Sequence, residues 1–137
     1  MKTYFLVKII KTLSGPNPIF LALSILWTLT IAVLCLVSFS KMPSVGISGV
    51  DKYVHVTFHF LFVILWFLAL YQKQKLKNTL LKVLLFSITF GILIELLQET
   101  LTKTRTADIF DVFANTAGAV IAVLALYWYY NPLKETL

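Results

Sequence analysis

The stretch ELLQETLTKTRTADIFDVFANTAG, Glu95–Gly118, decides how this chain folds. It lies between two long apolar runs and gathers acids, amides, small residues and the only arginine, Arg105. Four of the six acidic residues, Glu95, Glu99, Asp108 and Asp111, fall inside it. It reads as the end of one helix, a short polar connector and the start of another. Glu95, Gln98 and Thr102 recur at i, i+3, i+7, and so do Asp108, Asp111 and Asn115, with Gly118 and Ala122 continuing the second stripe. Each set therefore occupies one helix face.

The sequence on either side is mostly apolar. Of 137 residues, 59% are hydrophobic and 13% charged, with a mean hydropathy of +0.87. A soluble domain carries about a quarter charged residues, so the composition predicts an all-α integral membrane protein. The expected architecture is a four-transmembrane-helix bundle over 19–130. Its spans lie near 19–39, 53–71, 79–100 and 107–130. A basic amphipathic segment, 1–18, precedes it, and a short cytoplasmic tail, 131–137, contains Pro132, which is expected to stop the last span. Each span has about 20 residues, enough for a hydrocarbon core of ~30 Å. The first run is too long for a signal-peptide core and is expected to be retained. Tyr127, Trp128, Tyr129 and Tyr130 predict an interfacial aromatic belt.

The net charge of +6 comes from lysines in the connectors. That favours membrane topology over nucleic-acid binding. Lys2, Lys8 and Lys11 mark the N-terminal segment, and Lys73, Lys75, Lys77 and Lys82 the second connector. Both termini are therefore expected in the cytoplasm, with the first and third connectors outside. The single cysteine, Cys35, allows no intrachain disulfide and no thiolate metal cluster.

With that topology the polar stripes share one end of the bundle. Asp51, Lys52, His55 and His59 open the second span. Glu95 and Gln98 close the third, and Asp108, Asp111 and Asn115 open the fourth. Lipid cannot hydrogen-bond such groups, so they are expected to turn inward and converge. His59, Glu95 and Asn115 would lie deepest, on the order of 10 Å below the helix ends. Gly118 and Ala122 have small-xxx-small spacing that permits close helix approach, and Gly91 is expected to assist.

These motifs resemble the VanZ-like family of small bacterial membrane proteins. The resemblance rests on Asp51-Lys52-x-x-His55-x-x-x-His59, then Glu95-x-x-Gln98, then Arg105-x-x-Asp108-x-x-Asp111-x-x-x-Asn115-x-x-Gly118. It implies a multi-pass protein of the bacterial cell membrane linked to teicoplanin-type glycopeptide resistance, with no established reaction.

Three functional readings follow. In the first, an outward polar pocket binds membrane lipid, a lipid-linked cell-wall precursor or the glycopeptide, with Lys52 and Arg105 holding phosphate or carboxylate. Glu95, Asp108 and Asp111 would orient them. In the second, the chain is an intramembrane enzyme in which His55, His59, Glu95 and Asp111 bind a divalent metal or perform acid–base chemistry. In the third it is a transporter subunit, which requires a homo-oligomer because four spans are few for a pathway. No cofactor, metal site or nucleic-acid partner is assigned. A purely structural role competes with all three: Asp108 can cap a helix, and Arg105 can pair with Asp108 or Glu95.

Overall fold

The computed structural model describes residues 17–37, 50–72, 75–102 and 107–135, with side chains up to Asn131. Four helices account for nearly all of them: α1 (Pro18–Leu36), α2 (Val50–Leu70), α3 (Leu76–Leu101) and α4 (Ile109–Glu135). No strand occurs among the described residues. All four helices are long and apolar enough to cross a membrane. The expected segment 1–18 lies almost wholly outside the described residues, as does Arg105.

Local chemistry sets the helix ends. The Asn17 side chain accepts from the backbone N–H groups of Ile19 and Phe20, at 3.0 and 3.4 Å, and Pro18 occupies the first turn. Both features satisfy or remove donors that a helix N-terminus leaves unpaired. At the other end of the chain, α4 continues past Pro132 to Glu135, although its apolar span ends at Asn131. The expectation that Pro132 stops the helix is corrected. A proline removes one donor, and in the last turn that leaves the preceding ladder in place. α2 begins at Val50, ahead of the expected Tyr53, so Asp51 and Lys52 lie within its first turn.

Packing is antiparallel between chain neighbours. The Asn17 N–H donates to the Ala69 carbonyl at 3.3 Å, joining the start of α1 to the end of α2. Indole groups reinforce this pair: Trp27 Nε1 donates to the Phe58 carbonyl and Trp66 Nε1 to Thr28 Oγ1, both at 3.1 Å. α2 is central. It packs most extensively on α4, next on α1 and less on α3, while α1 also touches α3.

The parallel pair α2 and α4 stays in register along its length. At one end Lys52 meets Asp111 and His55 meets Asn115. At the other, Phe67, Tyr71 and Tyr130 form an aromatic triangle with centroid separations of 4.8–5.1 Å. Tyr130 is buried in this contact, whereas Trp128 is 77% exposed and Tyr129 half exposed. The expected aromatic belt is thus divided: Trp128 and Tyr129 face outward and Tyr130 belongs to the core, because successive helical residues lie ~100° apart.

The exterior is apolar, as lipid requires. Leu26, Leu29 and Val33 are exposed on α1, while Ser24 on the same helix is fully buried. Ser24, Thr28 and Thr30 return their hydroxyls to carbonyls four residues earlier. The center of the bundle is filled by Phe62, which stacks on Phe90 at 5.2 Å and contacts Phe86 and Trp66.

Candidate functional site

Two small residues allow three helices to meet. A side chain at Gly118 of α4 would strike the carbonyl oxygen of Val56 in α2 and lie 2.9 Å from its carbonyl carbon. The two backbones are therefore in direct contact, as small-xxx-small spacing permits. Ala122, one turn on, is fully buried. Gly91 of α3 serves a different contact from the one expected. Its missing side chain leaves room for Asn115 and His59, each with an atom 3.1 Å from the position a Cβ would take.

Around this junction the polar side chains of α2, α3 and α4 come together. Lys52 contacts three carboxylates: Asp111 at 2.7 Å, Asp108 at 2.8 Å and Asp51 at 3.3 Å. An ammonium has three donors, so these acids match its full capacity. The expectation that Lys52 holds an external phosphate is revised on that ground. Asp51 is the most exposed partner and Asp111 the most enclosed.

Asp108 also caps α4. Its carboxylate accepts from the Phe110 N–H at 2.8 Å, and its carbonyl accepts from the Asp111 and Val112 N–H groups. The Lys52 ammonium and this N–H hold the Asp108 carboxyl below its ordinary value. Glu95 reaches across from α3: its Oε2 accepts from the Asp108 N–H at 3.3 Å. Glu95 is only 2% exposed, and its other oxygen, Oε1, has no hydrogen-bond partner among the described residues.

His55 lies between these groups. Its Nδ1 is 3.0 Å from Asn115 Oδ1, and its Nε2 is 3.5 Å from Asp111 Oδ2. His55, Glu95 and Asp111 each direct one donor atom into a space where all three lie within 4.8 Å of one another. The cluster is acidic: Asp51, Glu95, Asp108 and Asp111 face Lys52 and His55.

Two residues of the expected set point elsewhere. His59 is 1% exposed and pairs through Nδ1 with Ser87 Oγ at 2.8 Å, one turn further into the bundle. It stacks on Phe62 and links α2 to α3, outside the His55–Glu95–Asp111 group. The side-chain amide of Gln98 donates to the Cys35 carbonyl at 2.9 Å, joining α3 to the last turn of α1. Helix-terminal carbonyls lack partners within the helix, so this bond has a structural purpose. Ser87 was not anticipated. Its signal was available, since Ser87, Gly91 and Glu95 are four residues apart on one face.

Comparison with known proteins gives one family. A family model described as VanZ/LLP1 matches residues 8–130, nearly the whole chain. No curated protein and no solved structure matches it.

Proposed function

The chain belongs to the VanZ/LLP1 family, and from that membership we propose that it lowers susceptibility to teicoplanin-type glycopeptides at a bacterial cell membrane. In this reading the Lys52–Glu95–Asp111 end of the bundle faces outward. It engages a membrane lipid or a lipid-linked cell-wall component and restricts access of a lipid-anchored antibiotic. Both termini are cytoplasmic, in keeping with the lysines that flank the opposite end.

The observation that carries the proposal is Glu95, buried where three helices meet with one carboxylate oxygen unpartnered. Interhelical polar contacts in membranes average only about 0.6 kcal/mol. Holding a carboxylate there for packing alone returns little, and ionisable groups within spans ordinarily mark functional sites.

The test is expression in a sensitive Gram-positive host challenged with lipidated and non-lipidated glycopeptides. The wild-type chain should protect against the lipidated compounds. Glu95→Gln and Arg105→Lys, at equal membrane abundance, should abolish that protection. Full protection by both variants would refute the role given to this end of the bundle.

A further inference from the structure

We propose that His55, Glu95 and Asp111 form a divalent-cation site. The assignment deepens the proposed function, on which it rests only for its biological purpose: the cation would present open coordination positions to the phosphate of an anionic lipid.

Three observations carry it. First, His55 Nδ1 lies 3.0 Å from Asn115 Oδ1, and the tautomer with its proton on Nδ1 satisfies that acceptor. In the neutral ring, Nε2 then directs its lone pair toward Asp111. Metal-bound histidines are commonly oriented in this way, with the remote N–H donated to an oxygen.

Second, His55 Nε2 and Asp111 Oδ2 are 3.5 Å apart. A charge-assisted hydrogen bond would be about 2.7–2.9 Å. With metal–ligand bonds of about 2.1 Å, adjacent donors lie ~3.0 Å apart in an octahedron and ~3.4 Å apart in a tetrahedron. The His55–Asp111 separation fits two ligands of one ion better than a direct bond, and the Glu95 donor lies within 4.8 Å of both.

Third, Glu95 Oε1 is buried and unpartnered among the described residues, while its Oε2 is occupied by the Asp108 N–H. Asp111 is divided similarly, with Oδ1 on Lys52 and Oδ2 beside His55. Each acid thus keeps one oxygen for the cation and anchors the other.

One imidazole and two carboxylates suit Zn²⁺ or Mn²⁺. Three protein ligands leave coordination positions for water or a bound oxygen, as in functional sites and unlike closed structural ones. Lys52 contacts Asp51, Asp108 and one oxygen of Asp111, which leaves Glu95 and the second oxygen of Asp111 to the ion.

The experiment uses the full chain in detergent micelles, stripped with chelator and reloaded separately with Zn²⁺ and Mn²⁺. Bound ion is counted by mass spectrometry after desalting, and thermal unfolding is followed in parallel. At least one of the two metals should bind at about one ion per chain and raise the unfolding temperature. Asn115→Ala, which removes the histidine's orienting partner, should weaken binding 10–100-fold. Glu95→Gln should lose the metal-dependent rise yet unfold no earlier than the stripped wild type, because it removes a buried charge. Misfolding would not produce that pair of results.

A folded wild-type chain that retains neither metal and shows no metal-dependent shift would overturn the site. It would leave His55–Asp111 as a side-chain contact with no ion between them. Undiminished binding by Glu95→Gln would also overturn it. Susceptibility is a separate readout: protection that depends on Glu95 in a metal-free protein would reject the cation and keep the proposed function. Metal binding without protection would do the reverse.

Discussion

Gly118→Ala is the most informative single perturbation of the fold. A methyl group there would overlap the Val56 carbonyl oxygen and approach the Val56 carbonyl carbon and Cα to 2.9 and 3.0 Å. Non-bonded carbons prefer about 3.5–4.0 Å and the overlapped oxygen is nearer still, so α2 and α4 must part by about 1 Å or more at this crossing. The obstacle is backbone and cannot rotate away. Overpacking of this kind costs about 1–3 kcal/mol, and alanine's better helix propensity returns at most ~1 kcal/mol. Because the overlap is with backbone, the upper part of that cost range applies, about 2–3 kcal/mol, and a net loss of about 1–2 kcal/mol is expected, or roughly 5–30-fold in the folded-to-unfolded ratio. The shift should also reach the site. His55 and Asn115 would move from 3.0 Å toward ~4 Å, beyond hydrogen-bond range. Gly91→Ala is the milder comparison: its neighbours at 3.1–3.2 Å are Asn115 Nδ2, Asn115 Cβ and His59 Cε1, which need give by only a few tenths of an ångström. Its net effect should stay within about 1 kcal/mol. Reversible unfolding in micelles or bicelles measures both. If Gly118→Ala is as stable as wild type, or if Gly91→Ala is the more damaging, direct backbone contact at Val56 is not what holds α2 to α4.

Other substitutions separate the remaining contacts. Gln98→Leu, which removes the tie to the Cys35 carbonyl, should destabilise by about 0.6–1.7 kcal/mol while leaving ion binding intact; loss of binding would place Gln98 in the site. Asp51→Asn should leave the unfolding midpoint unchanged, because Asp51 is the exposed partner of Lys52, whereas Lys52→Met should lower it by leaving Asp108 and Asp111 without their shared cation; equal effects would refute this ranking. Because folding lowers the Asp108 carboxyl below its ordinary value of 3.8, its stabilising contribution is present above about pH 4 and lost as acid titrates the folded group. Acid unfolding should therefore fall less steeply in Asp108→Asn than in wild type, and identical slopes would exclude the effect.

The sequence by itself determined the class of fold and the neighbourhood of the site. Four apolar runs of sufficient length imply four membrane-spanning helices, since a lipid-exposed backbone must satisfy its own hydrogen bonds. Helical periodicity placed Lys52 with His55, Glu95 with Gln98, and Asp108 with Asp111 and Asn115, because side chains three or four residues apart share a face. Periodicity could not specify what each face would meet. Only the packed structure sends Gln98 to α1 and His59 to Ser87 while keeping His55, Glu95 and Asp111 together. Partner choice depends on helix rotation and axial offset, which are fixed where Gly118 meets Val56 and Gly91 admits Asn115 and His59. Those contacts join residues 62, 32 and 24 positions apart. Tertiary packing also engages Lys52 with three carboxylates instead of leaving it to an external anion, because electrostatic pairing follows distance in space and not position along the chain.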